Sequence, residues 1–185
     1  MPQLTEEDKN VLKAIARDAV IHSINYSKEL PVSLSEFPAT LHDYQNTFVT
    51  LKYNGKVIGC MGSLAADQPL IKDVVHNAFS ASYYDPRFPD PKTIDPEEIE
   101  IHISLLSPAE EIKFSSEQEL LTKIRPGKDG LLIREGRRQG TFLPAVWDSI
   151  PDPESFLKEL KHKAGLPVDY WSDTIKVYRY TTEYL

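Results

Sequence analysis

Two alternating runs meet at Asn54-Gly55. Phe48, Thr50 and Lys52 alternate with Val49, Leu51 and Tyr53 on one side, and Lys56 to Gly62 returns on the other. Asn and Gly are the residue types that most readily take φ > 0, which a two-residue hairpin turn of the right twist demands. The pair therefore predicts an antiparallel hairpin. A second is predicted around Glu135-Gly136-Arg137, joining residues 130–134 to 138–143. Ile99, Ile101, Ile103 and Leu105 alternate with Glu100, His102 and Ser104, the pattern of a strand with one wet face. Residues 174–181 read as a closing strand.

Helices are expected between these strands. Thr5 followed by Glu6-Glu7-Asp8 has the form of an N-cap and an acidic first turn, and Val11, Leu12, Ile15, Ala16, Ala19 and Val20 recur at helical spacing. That predicts a helix over 5–27. Pro69 can open another, running through residue 84 with a stripe of Ile71, Val74, Val75, Ala78, Phe79 and Ser82. Ser116-Glu117-Gln118-Glu119 fits a capping box for a short helix to about residue 124. Asp152 caps a fourth, with Pro153 first, Lys158, Lys161 and Lys163 toward its end and Gly165 beyond. Residues 85–96 hold four prolines and are expected to be an extended loop. Because hairpins dominate and no strand-helix-strand unit repeats, the fold class is α+β with a mostly antiparallel sheet. Residues 1–185 are expected to form a single domain, the usual size for one.

Composition narrows function. Acidic residues outnumber basic ones by seven (28 against 21), and the pI near 5.3 disfavours a protein held by phosphate backbones or anionic lipid. One cysteine, Cys60, excludes an intramolecular disulfide and favours a reducing compartment. The first ten residues are polar rather than signal-like, and no apolar stretch approaches the ~18 residues of a membrane span. These features point to a cytoplasmic protein, in which the sequon Asn25-Tyr26-Ser27 would be inert.

Most chemical motifs fail on inspection. The five histidines are scattered and none stands at ligand spacing with Cys60, so no metal site is expected. No cofactor fingerprint is expected either: Gly127-Lys128 resembles the end of a phosphate loop, but Asp129 replaces the required Ser/Thr. Lys123, Arg125, Lys128, Arg134, Arg137 and Arg138 make a basic stretch without interleaved aromatics, more a solvated face than a nucleic-acid groove. His102 shares its strand face with Glu100 and Ser104 and is a weak candidate general base. His76 is expected among Lys72, Asp73 and Asn77 on a wet helix face, and Trp147 and Trp171 as core or interface anchors.

Gly59-Cys60-Met61-Gly62 stands apart. Two glycines inside a strand mark a bulge or a close approach by another backbone or a ligand. A free cysteine usually packs as a small hydrophobe, and its thiol is only a few per cent ionised at neutral pH, so nucleophilic work would need a nearby cation or helix end. By strand parity Ile58 points the same way as Cys60, at ~6.6 Å, and offers no charge.

With these residues in view, the chain resembles the AMMECR domain family along its length, specifically the members called protein A of the AmmeMemoRadiSam system. The family's Leu-Arg-Gly-Cys-Ile-Gly hallmark falls on Val57 to Gly62, and Asp85-Pro86-Arg87-Phe88-Pro89, Ile103 to Pro108, Phe142-Leu143-Pro144 and Lys163 to Pro167 also match. The resemblance implies a larger part and a smaller subdomain with a cleft between them, and association with a Memo-like protein and a radical S-adenosylmethionine protein. It names no reaction. The family's arginine is Ile58 here, so a cation for Cys60 would come from elsewhere, with Arg87 the first choice. Two main readings follow. In one, the chain is an accessory component that binds a partner or small ligand through Ile58, Gly59, Met61, Gly62 and Arg87. In the other it is an enzyme with Cys60 as nucleophile, His102 or another histidine as base, and Gly59 and Gly62 allowing close substrate approach. A nucleic-acid-binding regulator is the third.

Overall fold

The computed structural model describes residues 4–63, 65 and 67–185. Part of the polar start, Met1 to Gln3, lies outside the described residues. Capping chemistry fixes the first helix, α1 (Glu6–Tyr26): the Thr5 hydroxyl accepts the Asp8 N–H while the Asp8 carboxylate accepts the Thr5 N–H, a reciprocal capping box. β1 (Thr47–Tyr53) and β2 (Lys56–Gly62) pair antiparallel, and φ values of +49° at Asn54 and +73° at Gly55 give the expected turn. α2 (Leu70–Tyr83) follows Pro69. The proline-rich loop is less extended than expected, with single turns of 3-10 helix at Pro91–Thr93 and Pro96–Glu98 that Asp90 and Asp95 cap. β3 (Glu100–Leu106) then pairs with β1.

β4 (Glu110–Glu111) and α3 (Glu117–Lys123) come next. Ser116 caps α3 as expected, but the Glu119 carboxylate turns to the N–H and hydroxyl of Ser115 instead of closing the box. β5 (Gly130–Glu135) and β6 (Arg138–Phe142) form the second hairpin, α4 (Pro153–Lys163) starts at Asp152, and β7 (Lys176–Tyr180) and β8 (Thr182–Tyr184) end the chain. The strands β4 and β8 have no signature in the sequence. Both are too short for periodicity to register.

Two compact units result. The first runs to Leu106 and takes back Glu183–Leu185; the second is Ser107–Thr182. In the first, the sheet order is β2-β1-β3-β8. One face buries Val49, Leu51 and Ile103 against Leu12, Ala16 and Ala19 of α1 and Val74, Ala78 and Ala81 of α2. In the second, the order is β4-β7-β5-β6, and Leu131, Ile133 and Val177 share a core with Trp147, Phe156 and Leu160. Trp147 stacks on Phe156 at 3.7 Å, whereas Trp171 is only half-buried at that core's edge. Both sheets are antiparallel, so the fold is α+β. Among the described residues no helix is long and apolar enough to cross a membrane.

Asp73 and Asn77 do not face water with His76. Both are buried: Asp73 Oδ2 accepts from the Thr47 N–H at 2.8 Å, the Thr47 hydroxyl at 2.7 Å and Asn77 Nδ2 at 3.0 Å, and Oδ1 accepts from Ser63 at 2.6 Å. Helical spacing alone could not show this, because the residues they bind lie at the start of β1 and just beyond β2. His76 itself is exposed and meets Glu29 at 2.8 Å.

Candidate functional site

Edge position governs the Gly59-Cys60-Met61-Gly62 segment, since β2 is the outermost strand of its sheet. Cys60 stands opposite Thr50, but its backbone N–H goes outward to Asp85 Oδ2 at 2.9 Å. Such non-hydrogen-bonded pairs bring side chains closest. Here Cys60 Sγ lies 3.3 Å from Thr50 Oγ1.

The register corrects the parity reading of Ile58. Leu51 pairs with Gly59 and Lys52 with Val57, so Ile58 is the extra residue of a bulge. Its side chain turns into the core beside α1 and α2 and is buried. Ile58 and Cys60 therefore do not share a face. Gly59 also looks inward, where a Cβ would collide with the Ala81 carbonyl oxygen of α2; the close approach that the glycine permits is by another backbone. Gly62 lies beneath the Phe48 ring, and Met61 packs partly against the core.

Asp85 organises what remains open. Its carboxylate accepts the Cys60 N–H, the Arg87 N–H at 3.0 Å, Arg87 Nε at 2.9 Å and Arg87 Nη2 at 2.6 Å. The Arg87 guanidinium holds the Asp85 carboxyl well below the usual carboxylate range, the two backbone N–H groups reinforce this, and burial opposes it. Reciprocally, the hydrogen bonds to Asp85 raise Arg87, with burial opposing. Asp85 is buried, whereas the Arg87 side chain is 52% exposed, so a fixed cation is presented beside the cysteine. Asp85 was missed as a site residue; the Asp-Pro-Arg spacing, which lets a carboxylate clasp the second following residue, was its signal.

His102 stands opposite Thr50 on the other side. Cys60, Thr50 and His102 thus form one row across three strands, with Cys60 and His102 two spacings apart, ~10 Å. Direct proton transfer from thiol to imidazole needs ~3 Å. The imidazole is exposed, 3.6 Å from Glu100. Ser104, on the same strand, is buried rather than wet. Among the described residues no group of three or more His, Cys, Asp or Glu side chains is placed to hold a metal.

In the second unit, Asp129 is fully buried, clasped by Arg125 at 2.6 Å with Arg179 at 3.8 Å. The residue that breaks the phosphate-loop pattern is thus an internal ion-pair partner. Two more residues of the basic stretch have local partners, Lys123 with Glu119 and Arg134 over the Tyr178 ring, while Lys128, Arg137 and Arg138 are exposed.

The sequence model of the AMMECR1 family matches residues 13–185, spanning both units. A protein of Methanopyrus kandleri is 36% identical over 181 residues, covering 91% of this chain and 83% of that protein. One from Methanothermobacter thermautotrophicus is 33% identical, covering 97% and 94% respectively. The crystal structure of an uncharacterized protein from Pyrococcus horikoshii matches with a TM-score of 0.82 at 32% identity, over 94% of this chain and 88% of that one. Relatives above 30% identity, a shared three-dimensional fold and a family match reaching the last residue lead to one conclusion: the chain belongs to the AMMECR1 family.

Proposed function

We propose that this AMMECR1-family chain is a cytoplasmic accessory component that binds partner proteins without turning over a substrate, and that the corner formed by Cys60, Asp85 and Arg87 is part of the surface it offers. The supporting observation is the Asp85 clasp. It fixes a half-exposed guanidinium next to the motif while the nearest row histidine, His102, stands too far from Cys60 to act as its base. Fixed Arg side chains are frequent anchors of binding surfaces because little side-chain freedom remains to be lost. The family resemblance supplies the partner classes, a Memo-like protein and a radical S-adenosylmethionine protein. Affinity capture with the full chain from the native organism tests this: one or both partners are expected, identified by mass spectrometry, and repeated absence of both overturns the proposal.

A cysteine-dependent enzyme is the second reading, favoured by the 3.3 Å contact between Cys60 Sγ and Thr50 Oγ1 and the incomplete burial of Cys60. It requires Cys60 to react with a thiol reagent in the folded protein at least as fast as a free thiol. The binding reading expects slower labelling.

A further inference from the structure

A cavity of about 330 Å³ opens in the first unit where both long helices end. Ile24 and Ser27, from the last turn and cap of α1, meet Tyr83 at the end of α2, and the loop residues Asp85, Phe88 and Asp90 complete the wall. A helix C-terminus carries about half a negative charge on its unsatisfied carbonyls, usually complemented by a basic side chain in the last turn. Neither α1 nor α2 has one. Lys28, just past the α1 cap, does not line the cavity.

The side chains add to this negative field. Asp90 uses Oδ1 to accept the Lys92 N–H at 3.0 Å and forms no ion pair among the described residues. Asp85 is balanced by Arg87, and both of its oxygens are already taken by the Cys60 and Arg87 donors, so it adds little. Two rings are held in place: Tyr83 stacks on Phe79 at 5.1 Å, and Phe88 packs against the core. Ring faces attract ammonium and guanidinium groups. Among the described residues no three His, Cys, Asp or Glu side chains converge as they would to hold a metal ion. The volume lies within the range of small-ligand sites, ~300 to 1,000 Å³.

We infer that this cavity binds an organic cation, an alkylammonium or guanidinium group brought by a small amine or by a Lys or Arg side chain of another polypeptide. It shares Asp85 with the Cys60 corner but does not depend on how that corner works.

The test is titration of the full chain with butylguanidinium, its neutral isostere butylurea, and a blocked Gly-Arg-Gly peptide, followed by backbone amide NMR shifts. Saturable shifts at residues 24–27 and 82–91 are expected, with butylguanidinium roughly ten-fold tighter than butylurea, about one step on the affinity scale. Asp90→Asn, which keeps the capping oxygen, should weaken the cation about five-fold, the order of one exposed ion pair. Tyr83→Leu should weaken it about three-fold, the order of an exposed cation–π contact. A peptide at least ten-fold tighter than butylguanidinium identifies a polypeptide as the source; equal affinity identifies a free amine. No saturable shift, equal binding of butylurea, or an Asp90→Asn variant that binds like the parent overturns the inference. Partner capture does not enter this readout, so the two proposals fail independently.

Discussion

Gly59 and Gly62, three positions apart in β2, do different work around Cys60. Gly59 faces the backbone of Ala81, which cannot turn aside, whereas Gly62 faces the Phe48 ring, a half-buried side chain that can. Gly59→Ala should therefore cost at least about 3 kcal/mol and Gly62→Ala about 1 kcal/mol, in the range of overpacking with and without relief. Urea midpoints compare the two, and equal losses would contradict the packing described. Asp85 makes a separate prediction about acid. Its folded carboxyl titrates below the ordinary value, so its stabilisation is complete above the unfolded pKa of ~3.9 and fades as pH falls through that value toward the folded one. Asp85→Asn should lose about 2 kcal/mol at pH 7, the order of a charge-assisted hydrogen bond to a half-exposed partner. The gap to the parent should narrow steadily as pH falls from about 4 to 2. A constant gap across that interval would remove Asp85 as the group responsible.

At the scale of elements, the Asp73 network ties α2 to the ends of the first hairpin. Removing the carboxylate strands the donors of Thr47, Ser63 and Asn77, most of them buried. Asp73→Ala should therefore cost about 3 kcal/mol or more in denaturant unfolding, against about 0.5 kcal/mol for an ordinary surface site. A loss below about 1 kcal/mol would mean that water replaces the carboxylate. The network was illegible in the sequence for the same reason as the bulge at Ile58. Period and parity describe one element at a time, so Thr5, Asn54-Gly55 and Asp152, whose signals are local, could be read correctly. Asp73, Asn77 and Ile58 depend on which neighbour arrives, and a single extra residue in β2 is enough to turn Ile58 from the open face to the core. Arg87 could be named from its match to the family and its clasp by Asp85 is local, but the bond from the Cys60 N–H to Asp85 required the chain to double back on the edge strand.

Over the whole molecule, the two units share one family match, and the features argued to bind lie in the first of them. The acidic surplus, with partners close by for Lys123, Arg125 and Arg134, weighs against nucleic acid as the ligand. What the first unit offers instead is a fixed guanidinium, a half-buried thiol and a row of polar side chains on the open face of a sheet. If that corner binds rather than reacts, its cation should matter more than its sulfur. Quantitative partner capture with the parent chain, Cys60→Ser and Arg87→Gln tests this most directly. Cys60→Ser should retain the Memo-like or radical-enzyme partner to within about two-fold, while Arg87→Gln should lose roughly ten-fold, the order of one interface anchor. Loss with Cys60→Ser and retention with Arg87→Gln would contradict the account.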